Sequence, residues 1–190
     1  MQGLALPSKV FDDPRMQKLL LLPVLMGAAC LLAGIYGAVH NQISYSVAPG
    51  YFHEFKFVQF RIPLEAQNRL GAGAVGIAAS WWMGLVIGVP IYLVAIFAKY
   101  PRQTAQIFLK AALLVVAVTL AAGLAALIYG FATITLESLP TWMTGRRVSD
   151  PVAFARAGMM HNNSYLGGVI GLVAASVFAV RAVRRTRAGP

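Results

Sequence analysis

The chain has 190 residues, 58% of them hydrophobic and 12% charged, with a mean hydropathy of +0.68. Soluble domains carry roughly 25% charged residues, and so apolar a chain has too little polar surface to cover a globule; this excludes a soluble enzyme and a disordered chain. The formal net charge of +10 would indicate nucleic acid in a soluble protein, but the 16 Lys and Arg residues flank apolar segments, so the composition reads as an all-α integral membrane protein with the lipid bilayer, and no nucleic acid, as its partner.

A membrane-crossing helix needs about 20 mostly apolar residues, and in lipid every backbone polar group has to be satisfied within its own segment, which selects helices over strands. The first such segment is 19–39, uncharged from Leu19 to Val39. It is longer than the roughly 7–15 residues of a signal-peptide core and follows a polar leader, so it reads as an uncleaved span. Cys30, the sole cysteine, lies inside it and excludes an internal disulfide or a cysteine-rich metal site. Ala29, Ala33 and Gly37 place small residues along one side.

Residues 40–73 form a first outer segment, opened by His40. Gln42 to Val47 alternate polar and apolar, Ala48-Pro49-Gly50 marks a turn, and seven aromatic or imidazole rings fall between Tyr45 and Phe60. This pattern predicts an aromatic loop or hairpin, or a re-entrant segment at the interface. Tyr45 and Tyr51 are its candidate hydrogen donors; the plainer reading is an aromatic belt set among headgroups. His53-Glu54 begins H-E-x-x-H, but Phe57 replaces the second histidine. Pro63 is expected to open a helix in which Glu65 and Arg69 form an i,i+4 pair.

The second span is 74–98. Just before it, Gly71 to Gly76 fit G-x-G-x-x-G, but the dinucleotide fingerprint requires a preceding strand, and these glycines enter a membrane helix. Gly76, Ser80, Gly84 and Gly88 recur every four residues, a stripe that lets helix backbones approach closely. Pro90 is expected to kink this span, and Trp81-Trp82 reads as packing or lipid contact. The third span is 111–131. In the second outer segment, 132–161, Ser149-Asp150-Pro151 reads as a helix cap followed by proline at the first helical position. That helix continues through His161 into the fourth span, 162–180, which carries Gly167, Gly171 and Ala175 on one side. Asn162-Asn163-Ser164 matches a glycosylation sequon, set where a glycan would press on the membrane surface. An antiparallel four-helix bundle follows, with helices two to four projecting beyond the bilayer on the outer side.

Orientation follows from the basic residues. Lys9, Arg15 and Lys18, then Lys99, Arg102 and Lys110, then Arg181, Arg184, Arg185 and Arg187 crowd three short stretches, whereas Lys56, Arg61, Arg69, Arg146, Arg147 and Arg156 are spread over the longer connections. This places both termini in the cytoplasm, in a protein whose composition resembles that of the bacterial inner membrane. The C-terminal arginines read as a stop-transfer and anionic-lipid contact.

All three histidines then fall on the outer side, with His40 and His161 at one membrane boundary. Each helix offers one ligand to that compartment: His40 and His161 at the centre, with His53, Glu65 and Glu137 completing the shell of a transition metal. Met159 and Met160 would add soft copper ligands, and two facing histidines alone would suit a b-type haem. The Glu-x-x-His signature of di-iron bundles is absent. The competing reading makes His40 and His161 interfacial polar residues bonded to Tyr or Asn. The expected functions are therefore a redox or metal-dependent membrane protein, or a non-catalytic subunit, assembly partner or homo-oligomer joined through the small-residue stripes. A small transporter fits less well, since charged groups deep in the spans are missing. Whether the protein is an enzyme is left open by its sequence.

Overall fold

Asp13 accepts a hydrogen bond from the Arg15 amide at 2.8 Å and Pro14 occupies the first turn, so the first long helix is capped by its own sequence. The computed structural model describes residues 13–188, and all regular structure among them is helical. Lys9, one of the residues used for orientation, lies outside the described residues. In chain order the main elements are α1 (Pro14–Val47), α2 (Arg69–Ser80), α3 (Met83–Ala95), α4 (Pro101–Thr133) and α5 (Pro151–Ala188). Helices α1, α4 and α5 are each long and apolar enough to cross a membrane, and α2 with α3 meets the same criterion as a pair bent by 41°. These helices support a membrane protein. Their outward sides carry apolar residues with no protein partner, such as Leu31, Ile35, Leu113, Val169 and Val173.

The small-residue stripes are used inside the molecule. A Cβ added at Gly37 would collide with the Gly76 carbonyl and the Ser80 hydroxyl, and one added at Gly84 would lie 2.5 Å from the Ala29 carbonyl carbon and the Cys30 Cα. Helix α1 therefore crosses α2 and α3 backbone to backbone. On the other side of the bundle, a Cβ at Gly167 would lie 2.6 Å from the Ala122 Cβ, and one at Gly171 would lie 3.1 Å from the Val115 Cα, so α5 lies against α4 in the same manner. Close backbone approach of this kind replaces the hydrophobic effect as the force joining helices in lipid.

Two apolar clusters fill the bundle. At the end bearing the chain termini, Leu25, Ile91, Tyr92, Phe108, Ala111, Ala175 and Ala179 pack together. Cations close this end: Lys18 donates to the Ala98 carbonyl and Arg187 Nε to the Phe97 carbonyl at 2.8 Å, where α3 has just ended. At the opposite, distal end, Tyr51, Phe52, Phe57, Val75, Ile134, Met143 and Phe154 form the second cluster. Between the two lies a buried polar layer of His40, Asn41, Ser44, Thr119 and Ser164.

Several expectations are corrected. The second span breaks at Trp81-Trp82, while α3 runs unbroken through Pro90. At the break the Ser80 hydroxyl bonds the Gly76 carbonyl at 2.7 Å and the Ala33 carbonyl of α1 at 2.8 Å, and the next amides bond three residues back, Gly84 to Trp81 and Leu85 to Trp82, both at 3.0 Å. A side chain competing for helix carbonyls is a recognised cause of bending. The aromatic segment is neither hairpin nor loop but a helical arch, Pro49–Tyr51, then a π-turn Phe52–Lys56, then Phe57–Gln59. Helical backbone satisfies its amides locally, whereas an isolated hairpin leaves edge groups unpaired. The distal projection is carried by α1, which runs on to Val47, and by α5, which starts at Pro151 with Asp150 accepting from the Ala153 amide at 2.9 Å. Helix α4 stops at Thr133, and α2 starts only at Arg69, where Asn68 caps the Leu70 and Gly71 amides. Glu65 sits in a separate turn and forms no pair with Arg69; Arg69 instead bonds the Ser46 hydroxyl at 2.9 Å and lies over the Tyr45 ring.

Candidate functional site

His40 and His161 meet in the polar layer. Their rings stack with centroids 4.5 Å apart and planes 16° from parallel. Helix α1 delivers His40 one turn beyond Tyr36, whose ring centroid is 5.7 Å away. Helix α5 delivers His161 three residues before Ser164, whose hydroxyl lies 3.0 Å from His40 Nε2. The Ser164 hydroxyl also lies 2.9 Å from the Met160 carbonyl; with its single proton on that carbonyl it accepts from a His40 protonated on Nε2.

A cavity of about 130 Å³ opens beside this pair, walled by all the main helices. Its lining is mostly apolar, with Gly37, Gly76, Met83, Ile87 and Val115 among the walls. Most of its polar side chains are already committed. Asn41 donates to the Ala72 carbonyl at 2.9 Å, Ser80 to α1, and Thr119 to the Val115 carbonyl at 2.7 Å. Two polar atoms are not: His161 Nε2 and the Tyr36 hydroxyl are buried without a hydrogen-bond partner. Ser164 lies within hydrogen-bonding influence of the Tyr36 hydroxyl, though outside the geometry of a normal bond. Tyr165 also lines the cavity and is 65% exposed, so the space reaches the lipid-facing surface of α5.

The arch roofs the site. The Tyr51 ring lies 5.1 Å from His161 and 4.8 Å from Phe154, and burial raises its phenol pKa above the ordinary value. Glu54 anchors the arch to the start of α5, accepting from the Ser149 amide at 3.1 Å and from the Ser149 hydroxyl. Lys56 is half-buried over Tyr51, and desolvation lowers its ammonium pKa below the usual lysine range.

The structure brings together the two central residues of the expected shell and not the others. His53 is exposed and pairs with the Tyr45 hydroxyl at 3.2 Å. Glu65 and Glu137 are exposed on connections outside the long helices. Met159 faces Gly130 of α4, with its sulfur 3.4 Å from where a Cβ would stand, and Met160 is buried against α4. Among the described residues no group of three or more His, Cys, Asp or Glu is placed to hold a metal ion. Stacked planes also send the two rings' lone pairs side by side, whereas imidazoles sharing one ion meet it in their ring planes at about 2 Å. A haem iron would have to sit between rings facing each other end-on, and this stacking closes that space. Tyr36 and Ser164 also belong to the site, Tyr36 unmarked in the sequence and Ser164 read there only as part of the sequon. Their signal was the spacing to each histidine, i,i+4 for Tyr36–His40 and i,i+3 for His161–Ser164, which sets each pair on one helix face. Of the sequon tripeptide, Ser164 is buried and bonded within α5 while Asn162 is exposed. Comparison with protein-family models, curated proteins and solved structures finds no match of any kind.

Proposed function

We propose that the protein binds a small lipid-soluble molecule through a polar head group, which enters the cavity and bonds His161 Nε2 and the Tyr36 hydroxyl. One observation carries this reading: two buried polar atoms without a normal hydrogen bond belong to residues that line a cavity, most of whose other polar side chains are committed. Each unmet group costs about 1–3 kcal/mol, which a polar group of a ligand would relieve. A mostly apolar pocket with a few placed polar groups is the usual form of a small-molecule site. The opening at Tyr165 supports entry from the bilayer, and a volume near 130 Å³ fits a ketone-, quinone- or phenol-type head better than a macrocycle. His40, bonded to Ser164, serves as the platform that fixes the His161 ring. The distribution of basic residues supports a distal end on the exterior side and cytoplasmic termini. A transition metal or haem at His40 and His161, and a purely structural subunit role, are the readings against which this one is tested.

The test uses full-length protein purified in nanodiscs. Solvent extraction and mass spectrometry should recover one lipophilic compound in near-stoichiometric amount from the native protein, and much less from His161→Phe, which keeps a stacking ring and removes Nε2. Metal analysis and an optical spectrum of the same preparation decide the rivals. A stoichiometric metal, a Soret band, or identical extracts from both proteins overturns the proposal.

A further inference from the structure

The distal surface holds a second feature, independent of the cavity. Two cations lie over the Phe55 ring: Lys56 Nζ at 4.7 Å from its centroid and the Arg146 guanidinium carbon at 5.8 Å. Lys56 also reaches the Tyr51 ring at 5.8 Å, and Arg146 the Phe154 ring at 5.7 Å. Among the described residues neither cation has a carboxylate partner. Lys56 bonds only the Gln59 side-chain oxygen, at 3.2 Å, and Arg146 lies on rings alone. The nearby acids are engaged elsewhere, Glu54 with Ser149 and Asp150 with the first turn of α5. Two positive charges thus share an aromatic platform without a direct carboxylate partner, and one is half withdrawn from water. In such surroundings an anion is held far more strongly than in bulk water.

We infer that Lys56 and Arg146 together hold the phosphate of an anionic phospholipid headgroup beside the Phe55 ring. Phosphate supplies oxygens for both the lysine point charge and the planar arginine fork. The lipid, rather than free phosphate, is favoured by the neighbouring surface. Val58, three residues beyond Phe55 in the same helical arch, is 67% exposed and offers an apolar face beside the cations. A glycerol backbone and acyl chain have a use for that face and an inorganic ion has none. Exposed aromatic and basic side chains at this level are typical of a membrane–water interface.

The experiment titrates full-length protein in neutral detergent with phosphatidylglycerol or phosphatidylcholine and follows the thermal unfolding midpoint, with inorganic phosphate as competitor. Phosphatidylglycerol should stabilise the native protein and phosphatidylcholine should not. Lys56→Gln with Arg146→Gln should weaken the effect about thirtyfold, as expected for two basic residues near a membrane surface. Arg61→Gln with Arg147→Gln removes the same charge from cations that stack on no ring, and should retain binding. Exchanging the pair, Lys56→Arg with Arg146→Lys, should also retain it. If the first double variant does not fold, Arg146→Gln alone carries the test, with about a fivefold loss. Equal response to both lipids, an unchanged response of the Lys56/Arg146 variant, or an equal loss in the Arg61/Arg147 control overturns the inference. Displacement of the lipid by equimolar inorganic phosphate overturns the lipid assignment and identifies free phosphate as the ligand.

Discussion

Replacing Gly76 by alanine tests the packing on which the cavity depends. A Cβ there would meet the carbonyl group of Gly37 and lie 2.8 Å from the Ala38 amide nitrogen, where ordinary contact begins at 3.4 Å. All of these are backbone atoms of α1, so no side chain can swing aside and the two helices have to part. Overpacking of this kind costs about 1–3 kcal/mol. Parting the helices also weakens the Ser80–Ala33 hydrogen bond, worth about 1 kcal/mol. Alanine's better helix propensity returns about 1 kcal/mol. The expected result is a net loss of about 2 kcal/mol. Gly27, with nothing within 4 Å of its notional Cβ, is the matched control, and Gly27→Ala should be neutral or up to about 1 kcal/mol stabilising. Unfolding free energies in mixed micelles, read by circular dichroism as denaturing detergent is added, should separate the two by about 2–3 kcal/mol. Gly76→Ala as stable as the native protein, or Gly27→Ala equally damaging, would refute the crossing. Because Gly37 and Gly76 also line the cavity, ligand recovery should fall with Gly76→Ala alone.

Tyr36→Phe removes a buried hydroxyl that has no partner, so ligand-free protein should be unchanged or up to about 1 kcal/mol more stable, whereas Ser164→Ala strands His40 Nε2–H and should cost about 1–3 kcal/mol; the same unfolding titration reads both, and a loss in Tyr36→Phe would show that its hydroxyl is satisfied. For Lys56, burial lowers the folded-state pKa below that of the unfolded chain, and the groups facing it are Tyr51, Phe55 and Gln59, none of them a carboxylate. Folding therefore carries a cost while the ammonium is charged, and that cost shrinks as pH rises from the lowered value toward the usual lysine range near about 10. In zwitterionic lipid Lys56→Met should be more stable than the native protein at neutral pH, with the gap closing as pH rises; a gap that widens would mean an overlooked anionic neighbour.

The hydrophobic pattern made most of the architecture legible, because segments without charge over about 20 residues have few alternatives to a membrane helix. The stripes through Gly37, Gly76, Gly84 and Gly167 were equally readable, since in lipid only small residues bring backbones this close. Asp150 and Pro151 announced the start of α5, because caps are local chemistry. The misses concern features set by tertiary competition. The bend at Trp81-Trp82 arises because Ser80 bonds a carbonyl of α1 as well as one of its own helix, and Pro90 alone gave no hint of that. The arch was mistaken for a hairpin or interfacial loop because alternation over Gln42 to Val47 describes the end of α1, where one helix face is buried and the other exposed, as well as it describes a strand.

For the site, level along the bilayer was legible and ring orientation was not. His40 and His161 had to lie at one height because each adjoins a span boundary, but sequence sets no χ angles, and these decide the chemistry. Face-to-face stacking uses the ring faces on each other and leaves only the ring edges to do anything polar. On one edge the His40 Nε2 proton is spent on Ser164. On the other, the Nε2 of His161 remains, with Tyr36 the second unmatched group of the layer. Two histidines arranged to chelate would have turned both edges toward one point. Here one imidazole buttresses the other, and the Nε2 left over on His161 is the edge on which the proposed bond to a polar head group depends.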